Sequence, residues 1–257
     1  YTRPYTLSLH DALPIYRSGN LVVTRILPDG SLGETTDSAQ HCGHGPNPDR
    51  QEKPHVHIAM LSDDDRYVYA CDLGIDKIMI YRFDGGNGTL APAETPWIDL
   101  PAGEGPRHIA IHPDGAYAYL VTELGNRLFT YARSAATGAL TQLGAPRPLT
   151  PAAFTQTNYP SEILVHPNGQ FLYQLNRGHD SVGVWSLRDP AAPEPVAYIP
   201  SGGATPRQMA FSPDAKQLFV ANQDGCTLAA FDLPANGIPS PWPAAAQMPR
   251  PMCIAVL

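Results

Sequence analysis

The chain of 257 residues is long enough for one large all-β domain or two ordinary domains, and 43% hydrophobic residues suffice for a sizeable core. A formal net charge of −7 on a chain with only 16% charged residues excludes the broad basic stripe of a nucleic-acid-binding surface, although an arginine-rich mouth can still attract anions locally. Its 28 prolines and 22 glycines, with no stretch that keeps apolar residues at helical spacing, point to short strands and tight turns, and no apolar run is long enough to cross a membrane.

In chain order, the segment YTLSLHDALPI (5–15) fits no strand or repeat and is similar to translated sequencing-adapter sequence. Residues 1–15 are therefore set aside as non-native, the natural start being expected elsewhere, and the fold is sought in residues 16–257. Residues 16–40 read as the outer strands of a four-stranded unit. The chain then repeats. PHVHIAML (54–61), PRHIAIH (106–112), PSEILVH (160–166) and PRQMAFS (206–212) each read as a first strand, closed by the polar turns SDDD, HPDG, HPNG and SPDA. Asx-Gly and Pro-Asp pairs favour such reversals. Second strands follow as YVYACD, YAYLVTE, FLYQLNR and LFVANQ, and third strands as KIMIYRF, RLFTYAR, SVGVWSL and TLAAFDL. A weaker fourth strand ends the unit, often after a Gly-x-Leu turn as at 88–90 and 138–140.

His57, His108, Glu162, Gln208 and Cys253 are aligned in one register, at intervals of 51, 54, 46 and 45 residues. Four strands recurring at that period describe the blades of a β-propeller. Complete blades are expected from about residues 54, 105, 159 and 205, with PMCIAVL (251–257) as the inner strand of another. One earlier whole blade would make seven. The predicted class is all-β, a seven-bladed propeller of four-stranded antiparallel blades, here incomplete; an open ring is expected to expose sheet edges. Cys42, Cys71, Cys226 and Cys253 lack Cys-x-x-Cys spacing and read as free, small buried residues suited to a reducing compartment.

Alternating strand direction sorts the loops by face. The turns carrying His112 and His166 lie on one face and are structural. The other face gathers His55, His57, Arg107, His108, Ser161, Glu162 and Arg207 from first-strand starts, with Asp72, Asp76, Glu123, Asn176, Arg177, His179, Asp180 and Asn222 from the loops after second strands. Asp72, Asn176 and Asn222 occupy equivalent places and Asp76 matches Asp180, which suits turn caps as well as ligands. Arginines suit a phosphate or carboxylate; His57 and His108 are the acid–base candidates. His55 and His57, two apart on a strand, share a side, but no third ligand follows, so no metal is expected. No nucleophile elbow, P-loop or dinucleotide fingerprint is present.

The combination GPNPDRQEKPHVH (45–57), DLGIDKI (72–78), GPRHIAIHPDG (105–115), ELG (123–125), HPNGQFLYQLNRGHDSV (166–182), TPRQMAFSPD (205–214) and ANQD (221–224) resembles the seven-bladed lactonase family. Two departures are Gln208, where the family commonly has a histidine or similar residue, and Gln174-Leu175 in place of a small or β-branched pair. The resemblance implies a cytoplasmic hydrolase without metal or other cofactor, acting on a small sugar lactone, best a phosphorylated one such as 6-phosphogluconolactone. It implies catalytic roles for His57, His108, Glu123 and Glu162, and substrate contacts from Arg107, Arg177 and Arg207, to which the loop reading adds His55, His179 and Asp180. Neither nucleic acid nor membrane is an expected partner, and a monomer is expected. Substituting Arg107 is expected to reduce catalysis far more than folding. A muconate-type lactonising enzyme and a non-catalytic propeller scaffold are the alternatives.

Overall fold

The computed structural model describes residues 10–256, whose regular structure is almost entirely antiparallel strand. Strands β1 (His10–Ile15), β2 (Asn20–Ile26) and β3 (Leu32–Gln40) form a three-stranded sheet. The first complete blade holds β4 (Val56–Leu61), β5 (Tyr67–Asp72), β6 (Lys77–Asp84) and β7 (Thr89–Asp99). The second holds β8 (Pro106–Ile111), β9 (Tyr117–Thr122) and β10 (Arg127–Arg133), with an outer strand in two pieces, β11 (Leu140–Gln142) and β12 (Arg147–Pro148). The third holds β13 (Tyr159–Val165), β14 (Phe171–Arg177), β15 (Ser181–Ser186) and β16 (Glu194–Pro200). The fourth holds β17 (Pro206–Phe211), β18 (Gln217–Asn222), β19 (Thr227–Asp232), β20 (Ser240–Pro241) and β21 (Ala246–Gln247). Each blade starts within a residue or two of its expected place.

Both ends differ from the sequence reading. Residues 10–15, set aside on their sequence, form β1 and pair with β2 from His10 opposite Arg25 to Ile15 opposite Asn20. Pro14 is compatible with this because β1 has a ladder partner on one side only, where a missing N–H is tolerated. Residues 251–256, read as an inner strand, form none. An inner strand bonds to the second strand of its own blade, and no described residue supplies one. The segment is tied to the fourth blade, where Gln208 Oε1 accepts from Ile254 N.

Turn chemistry explains why the strands reverse where they do. Between first and second strands an Asx side chain accepts from the main chain two residues on: Asp64 from Arg66 (3.3 Å), Asp114 from Ala116 (2.8 Å), Asn168 from Gln170 (2.9 Å) and Asp214 from Lys216 (3.1 Å). The intervening residue is left-handed. Gly115 (φ 74°) and Gly169 (φ 71°) adopt that conformation freely, whereas Asp65 (φ 56°) and Ala215 (φ 54°) hold it against their Cβ atoms.

The core is a series of apolar layers between neighbouring blades. Leu21 and Val23 meet Val68 and Tyr81; Tyr69 and Ile80 meet Leu120 and Phe129; Tyr119 and Val121 meet Leu172 and Trp185; Tyr173 and Val184 meet Met209 and Phe231. Second strands are therefore buried on both faces, β5 at every position, which is why they read as continuous apolar runs. Tyrosine hydroxyls reach across the interfaces of the complete blades: Tyr67 donates to Ala136 O (2.7 Å), Tyr69 to Gly138 O (2.9 Å), Tyr119 to Pro190 O (2.9 Å) and Tyr173 to Gly237 O (2.8 Å). On the tip face His112 Nε2 donates to Gly169 O (2.9 Å) and His166 Nε2 to Ala215 O (3.0 Å), so both histidines join blades, as their turn positions suggested. The layers and these bonds fix the blades against one another. That rigidity is what lets side chains from separate blades converge on one mouth.

Candidate active site

Each inner strand slips by a register at its mouth end. The ladder breaks between Val56 and Ile58, Pro106 and His108, Pro160 and Ile163, and Pro206 and Gln208. The residues left out of pairing are His57, Arg107, Ser161 with Glu162, and Arg207. A β-bulge releases a residue from the ladder and re-aims its side chain. Proline opens β8 and β17 and stands second in β13, beside its bulge, where an N–H is dispensable.

Counting back from Leu61 opposite Val68, Ile111 opposite Ala118, Val165 opposite Leu172 and Phe211 opposite Leu218 corrects the sequence register. Ile58, His108, Glu162 and Gln208 are equivalent, and His57 belongs with Arg107, Ser161 and Arg207. The repeated His-Ile-Ala triplet misaligns the first blade, which has one more residue between that triplet and its turn.

Glu123, directly after β9 and 3% exposed, is the hub of the site. Arg107 Nε and an Arg177 terminal nitrogen each donate to its Oε2 at 2.8 Å, and Arg50 donates to Oε1. Burial alone would raise the Glu123 carboxyl, but Arg177, Arg107 and Arg50 together draw it down to about 2. Arg107 also donates to Ser161 O, and burial lowers its guanidinium to about 10, still a cation at neutral pH. Arg177 donates to Tyr159 O (2.9 Å) and Pro160 O (3.3 Å). Arg207 makes no ion pair with any described residue.

His108 Nδ1 lies 2.6 Å from Glu162 Oε1, and the His57 and His108 rings meet edge to face at 5.1 Å. Burial lowers the His108 imidazole, with Arg107 acting the same way and Glu162 opposing. His57 is held well below the ordinary histidine value, first by burial and then by Arg107, His108 and Arg177. It is a neutral imidazole at pH 7. A cleft of about 460 Å³ opens over Tyr16, Arg50, His57, Glu123, Arg177 and Arg207. Arg17, Arg50, Arg177 and Arg207 line this cleft with one carboxylate, Glu123, so it is electropositive in a chain that is acidic overall. A second hollow of about 410 Å³ beside Arg66 and Arg82 gathers no histidine.

Seven of the ten expected site residues thus converge: His57, His108, Glu123, Glu162, Arg107, Arg177 and Arg207. Three are engaged elsewhere. His55 Nδ1 donates to Tyr16 O (3.1 Å) and its Nε2 faces Glu52 (3.1 Å). His179 bonds Ser181 Oγ (2.7 Å) and packs on Phe154. Asp180, with φ 52°, accepts from Thr205 N (2.9 Å) and is a turn cap between blades, as its match Asp76 is for Gly103 and Gly105. Arg107 is corrected in one respect: at 2% exposure it stands behind Glu123, so its loss would disturb folding as well as chemistry.

The sequence reading missed Tyr16 and Arg50. Arg50 lies within the quoted stretch at 45–57, on a turn tied by Gln51 N to Asn47 O (2.7 Å) and by Gln51 Nε2 to Leu73 O (2.9 Å). Behind that loop Asp72, fully buried, accepts from His55 N (2.6 Å) and Gly74 N (3.0 Å) and meets His41 Nδ1 (2.6 Å). Asp72→Ala leaves those buried donors unsatisfied and is expected to destabilise the fold by about 2–5 kcal/mol, read as a fall in urea midpoint. An unchanged midpoint would remove Asp72 as the loop's support.

Among the described residues no group of three or more His, Cys, Asp or Glu side chains is placed to hold a metal, and no helix is long and apolar enough to cross a membrane. The pattern of a family described as "Lactonase, 7-bladed beta-propeller" matches residues 13–256. A 6-phosphogluconolactonase of Bacillus subtilis (strain 168) is 34% identical over 244 residues, 94% of this chain and 68% of that protein. A Lactobacillus plantarum protein of known crystal structure superposes with a TM-score of 0.89 at 31% identity, covering 96% of this chain and 70% of that one. The periplasmic gluconolactonase of Pseudomonas aeruginosa superposes at 0.86 with 29% identity, again over 96% and 70%. The chain spans about two thirds of the length of these relatives.

Proposed function

We propose, on the premise that the chain belongs to the seven-bladed β-propeller lactonase family, a family of lactone hydrolases, that its site opens a sugar lactone bearing an anionic group, 6-phosphogluconolactone first among them. The observation that carries this reading is the unbalanced charge of the cleft: Arg207 faces it with no ion-pair partner among the described residues, beside Arg177 and Arg50, which share one carboxylate. Such a site attracts a phosphate or carboxylate, and arginine presents the fork that fits either.

In this reading a water molecule attacks the lactone carbonyl while neutral His57 takes its proton. The new C–O bond leaves a tetrahedral oxyanion, which the cleft arginines stabilise. The ring C–O bond then breaks, and the leaving alkoxide recovers the proton from the imidazolium. The His108–Glu162 pair keeps the neighbouring imidazole in a fixed tautomer beside His57. No covalent nucleophile is needed, because a strained cyclic ester already hydrolyses unaided.

The discriminating measurement compares 6-phosphogluconolactone with unphosphorylated gluconolactone. Arg207→Ala is expected to lower kcat/KM for the phosphorylated substrate roughly 10–100-fold, the value of one charge-assisted contact, and to change the other by less than about threefold. Equal losses on both substrates, or no preference in the parent protein, would discard the phosphate. A preference for an unsaturated dicarboxylate would favour the muconate-type reaction. The phosphate also bears on compartment: a phosphorylated substrate belongs with the cytoplasm, whereas the Pseudomonas neighbour is by name periplasmic and a gluconolactonase. A well-folded chain that accelerates neither lactone would leave the scaffold reading.

A further inference from the structure

We propose that Tyr16 is a positioning residue, which holds the His57 imidazole in place against the arginine-lined cleft; this rests on the reading of His57 as proton acceptor. Among the described residues no other residue hydrogen-bonds the His57 ring. Its buried Nδ1 has no partner among the described residues, and its Nε2 stands 4.0 Å from the nearest Glu123 oxygen. The ring is held between two others. His108 meets it at 5.1 Å with an interplanar angle of 67°, and Tyr16 at 5.5 Å with 79°. Edge-to-face contacts of this kind favour one ring orientation over its alternatives.

Tyr16 is itself anchored twice to one residue. Its main-chain oxygen accepts from His55 Nδ1, and its ring stacks on the His55 imidazole at 4.6 Å and 19°. His55 is in turn braced by Glu52. The phenol end reaches into the cleft beside Arg50 and Arg207. A line of contacts therefore runs from Glu52 through His55 and Tyr16 to His57, and it gives His55 a part in the site that does not require it to touch substrate. The remaining groups facing His57 are Arg107, His108, Arg177 and Glu123.

Removing the Tyr16 ring opens this side of His57 to water. Hydration relieves the burial that disfavours its charged form, while the surrounding arginines stay. In Tyr16→Ala the imidazole should then titrate closer to the ordinary histidine range, and the acid limb of kcat/KM should move to higher pH with it. The loosened ring should lower kcat roughly tenfold, with KM within about twofold. Tyr16→Phe keeps the ring and should keep the His57 titration, with any loss confined to KM through Arg50.

The test is proton NMR titration of the His57 imidazole in the whole chain, with His57→Gln identifying its resonance. Parent and Tyr16→Phe proteins with a depressed value, and Tyr16→Ala with one moved upward, would support the proposal. A Tyr16→Ala protein that is folded by circular dichroism and titrates at His57 as the parent does would overturn it. Activity of His57→Gln is read separately: full activity would remove His57 as the base, while the titration would still decide what Tyr16 does to its ring.

Discussion

His57→Gln is expected to lower kcat for lactone opening by a factor of roughly 10²–10⁴, the usual worth of a positioned general base, with KM changed less than about threefold. Gln keeps a polar side chain of similar length at a position whose side chain is 16% exposed, so the fold should survive the change. The sign of the pH effect follows from the environment. Burial and the adjacent Arg107, His108 and Arg177 hold His57 well below the ordinary value, so its proton-accepting form persists through neutral pH into mild acid. The rate profile of the parent protein should therefore be flat from about pH 8 down through pH 6.5 and fall only below. A His57→Gln protein that retains half its rate would transfer the base to His108. The profile would then carry the signature of an imidazole coupled to Glu162.

The largest expected stability effect belongs to Glu123. Removing its carboxylate leaves Arg107, 2% exposed, as an uncompensated buried cation close to Arg177, and Glu123→Ala should cost about 3–5 kcal/mol of unfolding free energy. Acid should do the same reversibly. The Glu123 carboxyl is drawn from 4.5 to about 2, so its contribution is present above pH 4.5 and is lost as pH falls towards 2. That difference is worth about 3 kcal/mol. His57 acts earlier on the same path: the unfolded imidazole binds a proton below about pH 6.5 that the folded one refuses, so stability declines from there. Urea unfolding, followed by the fluorescence of fully buried Trp185, should show both stages in the parent protein, and Glu123→Gln should lack the one below pH 4.5. An acid profile unaltered by Glu123→Gln would mean that the arginines do not depend on this carboxylate.

The blade plan was legible because each unit repeats its turn chemistry together with its strands. Asp114-Gly115 and Asn168-Gly169 announce reversals from local sequence alone, and four such units at one period leave few folds to consider. The convergence of His57, Arg107, Glu123, Arg177 and Arg207 was legible for the same reason, since strand alternation sorts loops between two faces. Three features were not. Which unpaired residue each bulge frees depends on counting from the turn, and the repeated His-Ile-Ala triplet conceals a one-residue difference. The division between ligand-facing and turn-capping polar residues is a matter of what lies next to each one: Asp180 and Glu123 both follow second strands, yet one caps Thr205 and the other meets three guanidinium groups. Arg50 lies outside the repeat, where no blade equivalent singles it out; Tyr16 is the counterpart of Glu123 and Arg177, directly after its strand, but it adjoins a segment whose composition argued against any part in the fold.

The four bulged positions also bear on how such a protein can change. Elsewhere in an inner strand a substitution must satisfy two neighbouring blades and a ladder of main-chain bonds. His57, Arg107, Ser161 and Arg207 sit where the ladder skips, so a different side chain there asks nothing new of the pairing. A library varied at Arg207, which lines the cleft, leaving fully buried Ser161 and the buried Glu123–Arg107 pair untouched, should yield mostly folded proteins that differ in which cyclic esters they accept. Chemical diversification and structural tolerance would then reside at the same address in the chain.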